Sequence, residues 1–128
     1  MDEYTKIKQH VEELSLNAKS IDFIEKIENS VNVLMPQGEV DIKHIASRLN
    51  VSPSKLRRTM HAITGLSPAK YVMYLRLRQS LRLLDKYPRN TISAVSSRCG
   101  FFDHSHFTHT FIRYFGISPS QYVQDKLK

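Results

Sequence analysis

The side chains of this 128-residue chain that are best suited to chemistry are cationic and hydrogen-bonding rather than nucleophilic. Arg57 and Arg58 are adjacent, with Ser54 three residues before the pair's first member and His61 three residues after its second. A guanidinium presents five donors in a planar fork that matches phosphate oxygens and the edge of guanine, so two of them on one helix suit a polyanion. Further along, His104, Ser105, Thr108 and His109 form a second donor-rich group at helical spacing. No carboxylate pair, nucleophile with a neighbouring base, or glycine-rich phosphate loop accompanies them, which argues against an enzyme. Cys99-x4-His104-x-His106-x2-His109 invites a zinc reading, but its spacing matches no common zinc motif and Cys99 falls on an apolar helix face. Neither a metal nor a cofactor is therefore expected.

Both groups sit inside a repeat. Leu56-x8-Gly65-Leu66-Ser67-Pro68-x2-Tyr71-Val72 recurs as Phe107-x8-Gly116-Ile117-Ser118-Pro119-x2-Tyr122-Val123, with each residue displaced by 51. Two copies of one supersecondary unit imply that whatever one copy contacts is contacted twice. Charge separates the repeat from what precedes it. Residues 1–40 carry four Lys against eight Asp or Glu, whereas residues 41–128 carry fifteen Lys or Arg against four Asp, with Arg the commoner cation. The overall charge of +7 is thus concentrated where the donors are, the electrostatic footprint expected for a nucleic-acid partner.

The elements that hold these donors read as helices throughout. Ile7, Val11 and Leu14 define an amphipathic helix within residues 5–16, and Phe23, Ile24, Ile27, Val31 and Leu34 a second within 22–35, capped by Asp22. Asp41 caps a helix with the apolar face Ile42, Ile45, Ala46 and Leu49, which ends at Asn50. Ser52-Pro53 starts the next, with Leu56, Met60 and Ile63 inward and Thr64-Gly65 as its end. Ser67-Pro68 opens a long helix through Tyr71, Val72, Leu75, Leu81 and Leu84 that stops at Tyr87-Pro88. Thr91 caps a helix with Ile92, Val95 and Cys99, and Asp103 one with Phe107, Phe111 and Phe115. Ser118-Pro119 begins a last helix carrying Tyr122 and Val123. No period-two strand is present, so the expected class is all-α. The expected division is a linker or helical extension over 1–21, a first subdomain over 22–86 that includes a linker helix near 68–86, and a second over 87–128.

Paired helices across a tight turn, the second bearing outward donors, describe a helix-turn-helix. Its second helix enters the major groove of DNA. At family level, the run Ile45-Ala46-x2-Leu49-x2-Ser52-x3-Leu56-x-Arg58-x6-Gly65-x-Ser67-Pro68-x2-Tyr71 and the later Gly100-Phe101-x3-Ser105-x-Phe107-x3-Phe111-x3-Phe115-Gly116-x-Ser118-Pro119-x2-Tyr122 closely resemble the AraC/XylS family of bacterial transcription regulators. The resemblance covers residues 40–123. It implies sequence-specific binding of double-stranded promoter DNA by one chain, with recognition helices near 53–64 and 104–115 in successive major grooves, activation with RNA polymerase as partner, and a cytoplasmic location. On that reading the DNA-facing residues are Ser54, Arg57, Arg58, His61, His104, Ser105, Thr108 and His109, and this segment acts as a monomer. The rival class is a protein-interaction module that kept the fold without the groove chemistry.

The family usually has Arg where this chain has His109 and Lys where it has Ile112, and small residues at the positions of Ser80 and Ser96. The first unit is therefore expected to dominate affinity. Arg76 is expected to be structural, paired with Asp85 or Asp103, while Arg78 and Arg82 either face DNA or solubilise the linker helix. Phe102 falls in a turn with no evident buried partner. The acidic first 21 residues read as the tail of a linker, so the chain is expected to be the C-terminal piece of a larger regulator.

Overall fold

Every helix of the computed structural model, which describes residues 1–128, starts at a side chain able to accept a hydrogen bond. The helices are α1 (Glu3–Glu12), α2 (Ala18–Leu34), α3 (Ile42–Arg48), α4 (Pro53–Thr64), α5 (Pro68–Lys86), α6 (Ile92–Arg98), α7 (His104–Phe115) and α8 (Pro119–Leu127), with a 3-10 turn at Met35–Gln37. Asp2, Asn17, Asp41, Ser52, Ser67, Thr91, Asp103 and Ser118 each accept from the backbone N–H three residues on. Each such cap contributes about 1 kcal/mol and relieves one orphan donor of the first turn. Proline follows the cap in α4, α5 and α8, where its fixed φ suits the helix and its missing N–H removes nothing.

Two starts differ from the sequence expectation. α2 begins at Ala18 under Asn17 rather than at Asp22, whose carboxylate instead pairs with Lys26 at 3.0 Å on the helix surface. α1 starts earlier than expected, at Glu3, because Asp2 caps it, and it ends at Glu12, so Leu14 lies beyond it.

α5 is the axis of the molecule. Tyr71, Val72, Tyr74, Leu75, Leu77, Ser80 and Leu84 are buried on it, because α1, α2, α4, α6 and α8 all pack against this one helix. Leu81, expected inward, is only half-buried, and Tyr74 and Leu77 take the interior positions instead. The single core of 22 buried hydrophobic residues runs unbroken through both halves of the chain.

The two helix-turn-helix units are α3–α4 and α6–α7. In the first, the Val51 N–H donates to Ala46 C=O, and in the second the Phe101 N–H donates to Ser96 C=O, both at 3.1 Å. Left-handed residues occupy the matching turn positions, Asn50 at φ 57° and Gly100 at φ 80°. The first halves of the units therefore match at a displacement of 50, and the displacement becomes 51 only after Phe102, the one extra residue of the second turn. Phe102 has nothing to pack on and is 98% exposed. Glycine is required at residue 100 on a second count. A Cβ there would lie 3.0 Å from both Met35 O and Val40 Cγ1, because the 3-10 turn after α2 runs directly over the second unit's turn.

Candidate nucleic-acid interface

α4 is amphipathic because its buried residues recur at four: Leu56, Met60 and Thr64 face inward, and the opposite face is left to solvent. Ser54, Arg57, Arg58 and His61 are all exposed on it. Arg57, Arg58 and His61 line one shallow groove with Ala62, Ser67 and Pro68, where α4 turns into α5. Ile63, expected inward, is half-buried. Thr64 takes the interior position, because its hydroxyl donates to Met60 C=O at 2.7 Å and accepts from the Leu66 N–H at 3.1 Å. That closes the helix end with its polar groups satisfied.

α7 repeats the design with aromatic residues. Phe107 and Phe111 are fully buried, 5.6 Å apart, and Phe111 meets Phe115 at 4.3 Å and Tyr122 of α8 at 6.0 Å. The outward face carries His104, Ser105 and His109 exposed and Thr108 half-buried. Ile112 is 42% exposed, an apolar side chain on a face otherwise made of donors. His106 is exposed but its ring meets the edge of Phe101 at 5.4 Å, so it helps hold the turn. The eight sequence-selected residues form two sets on separate helices, each on the face opposite that helix's buried stripe.

Arg76 joins the two sets through the scaffold. Its Nε donates to Cys99 C=O at 3.0 Å and its Nη2 to Gly100 C=O at 2.8 Å, while the guanidinium lies 4.1 Å from the centroid of Phe101. The expected partners Asp85 and Asp103 are not used: Asp85 accepts from the Tyr122 hydroxyl at 2.6 Å and lies 3.7 Å from Lys126 Nζ, and Asp103 caps α7. The physical reason is that two turn carbonyls need donors and a fork can serve both at once. Burial holds the Arg76 pKa below its ordinary value, and the Cys99 thiol beside it is pushed up to about 12 by burial, with Arg76 opposing. Arg78 is also committed to the scaffold. It pairs with Glu28 of α2 at 3.4 Å and lies over Tyr74, whereas Arg82 stays exposed. Burial followed by the Glu28 charge raises the Tyr71 phenol, which donates to that carboxylate, well above its ordinary pKa.

Ser80 and Ser96 fill the two positions where small residues were expected. Both are buried, with Ser80 Oγ donating to Leu77 C=O at 2.6 Å and Ser96 Oγ to Asp103 C=O at 3.4 Å.

Residues 45–125 match a family model described as a helix-turn-helix domain. The chain is 32% identical over 117 residues to the Msm operon regulatory protein of Streptococcus mutans, covering 91% of this chain and 40% of that protein. It is 33% identical over 88 residues to the HTH-type transcriptional activator RhaS of Escherichia coli O1:K1, covering 69% of this chain and 31% of that one. The chain thus spans less than half the length of these curated relatives. Among solved structures, the DNA-binding domain of AdpA, a global transcriptional factor crystallised with a target DNA, superposes with a TM-score of 0.65 at 21% identity. That match covers 98% of this chain and 93% of the other. No helix is long and apolar enough to cross a membrane.

Proposed function

Because this chain belongs to the AraC-type helix-turn-helix family of DNA-binding transcription regulators, we propose that α4 and α7 enter successive major grooves of one promoter duplex. Ser54, Arg57, Arg58 and His61 contact it from α4, and His104, Ser105, Thr108 and His109 from α7. The observation that carries this is the pairing of two helices with the same buried stripe and an outward face of hydrogen-bond donors, α4 packed directly on α5 and α7 tied to it through α6 and α8. α5 has 19 residues, about 28 Å at ~1.5 Å per residue, against about 34 Å for one turn of DNA. A modest bend of the duplex covers the difference, at a cost of order 1 to 6 kcal/mol that depends on the sequence bent.

Chemistry divides the two units. Adjacent guanidinia on α4 suit bidentate contacts with guanine, each worth about 1 to 3 kcal/mol of discrimination. α7 offers imidazoles and hydroxyls, with Ile112 suited to a thymine methyl. One chain carries both reading helices, so this segment binds as a monomer. The names of its relatives, an operon regulatory protein and a transcriptional activator, support regulation of an operon by activation. RNA polymerase as the protein partner and the bacterial cytoplasm as the location are part of the same proposal.

Duplexes selected from a random pool test this by salt titration. A chain making several phosphate contacts loses affinity steeply and linearly in log salt. Absence of any duplex binding at low salt would instead favour a protein-interaction module.

A further inference from the structure

α4 packs on α3 and α5, whereas α7 packs on α1, α6 and α8, and the two do not pack extensively on each other. Two side chains of the N-terminal helix α1 nevertheless reach the ends of both. Tyr4 of α1 is buried, with its ring 4.8 Å from Phe115 on α7 and 5.4 Å from Tyr74 on α5. Six residues later, His10 Nε2 lies 2.7 Å from Thr64 C=O, at the end of α4. A carbonyl can only accept, so Nε2 carries the hydrogen in this contact. The same imidazole covers Gly65, where a Cβ would lie 3.3 Å from Nε2.

The two anchor points are equivalent. Thr64 and Phe115 are each the last residue of a reading helix and are displaced by 51, the repeat interval. One helix therefore grips the same position in both units, with Ile7 buried between the grips and Val11 packed on the core beyond His10. Nothing in an isolated helix-turn-helix requires such a bridge, since the helices of each unit here already carry their own caps.

We propose that α1 is a strap that sets the separation and relative angle of the two DNA-reading helices, with Tyr4 and His10 as positioning residues that never touch DNA. This rests on the reading of α4 and α7 as the groove-entering helices. Two contacts on one rigid body bind a duplex with high effective concentration only when their spacing is held. Loosening one end lowers that concentration without altering either contact. The strap's effect therefore falls on the two-site duplex and not on either half alone.

The test uses the full chain and a duplex selected by the wild type from a random pool. Three derivatives accompany that duplex: one with a base pair inserted between the half-sites, one with a base pair removed, and one keeping the α4 half-site alone. Tyr4→Ala with His10→Ala is expected to weaken binding to the selected duplex by about 10-fold. Affinity for the single half-site should stay as in the wild type, and the penalty for altered spacing should shrink. Tyr4→Phe, which keeps the stacking ring, should restore wild-type behaviour. His10→Ala alone removes one part-buried hydrogen bond from an otherwise exposed side chain and should give a smaller change in the same direction. Unchanged spacing preference in these variants would overturn the strap, as would equal loss on the half-site and the full site, which marks a merely structural helix. If the wild type selects no duplex at all, the DNA reading itself fails, a result distinct from both.

Discussion

Arg76 should behave as the joint between the linker helix and the second unit's turn. The perturbation is Arg76→Met, which keeps the apolar stem and removes the guanidinium. Two charge-assisted hydrogen bonds are lost, at 3.0 and 2.8 Å, and two turn carbonyls lose their donors. Bonds to charged groups contribute about 1.5 to 3 kcal/mol each, and a half-buried site belongs at the lower end of that range. The contact over Phe101 at 4.1 Å adds about 0.5 to 1 kcal/mol. The expected loss is about 3.5 to 4 kcal/mol, or roughly 13 to 15 °C in melting temperature for a chain of this size. Arg76→Lys should recover part of it, since one ammonium cannot serve both carbonyls and stack at once. Urea unfolding followed by far-ultraviolet circular dichroism measures this, with the m-value unchanged. A loss under about 1 kcal/mol for Arg76→Met would refute the joint, because orphaned turn carbonyls cannot be that cheap.

Gly100→Ala should cost about 3 kcal/mol, combining a left-handed backbone with a Cβ 3.0 Å from Met35 O and Val40 Cγ1, whereas Gly116→Ala, with open space around it, should cost about 1 kcal/mol. Equal melting temperatures for the two would contradict the close approach. Burial pushes the Cys99 thiol up to about 12 from an ordinary 9, so the folded state keeps the proton; that contribution to stability is complete below pH 9 and is lost as pH rises towards 12. The folded chain at pH 8 should resist a thiol reagent that labels the urea-unfolded chain at once, and rapid labelling of the native protein would show the site to be open. Arg57→Ala with Arg58→Ala should weaken duplex binding by at least about 10-fold more than Thr108→Ala with His109→Ala, as a titration of the selected duplex would read; the opposite ranking would reverse the assignment of the dominant unit.

Most of the helical frame could be read from the sequence because its boundaries are local chemistry. A Ser-Pro pair, an Asp or Thr cap and a glycine stop act through neighbours within a few residues, and those at Asp41, Ser52, Ser67, Thr91, Asp103 and Ser118 hold in the structure. The outward faces of α4 and α7 followed from the same periodicity, which is why the exposed donors on them were identifiable. What could not be read depends on residues far apart. The partner of Arg76 is a pair of carbonyls 23 and 24 residues away, and main-chain acceptors leave no mark on residue type. The placement of α1 was equally hidden, since Tyr4 and His10 find partners more than fifty residues on, and an acidic, weakly apolar helix looks like a linker. Phe102 is the reverse case. An aromatic residue with no evident partner in the sequence has none in the fold.

The most direct measurement is hydroxyl-radical and methylation footprinting of the 128-residue chain on a duplex it has selected, with the stoichiometry of the complex determined in parallel. One chain per duplex should protect two major-groove tracts centred about one helical turn apart, and replacing Arg57 and Arg58 should erase the tract read by α4 while that read by α7 persists at raised protein concentration. A single protected tract, or two tracts that require two chains, would contradict reading by both helices of one molecule.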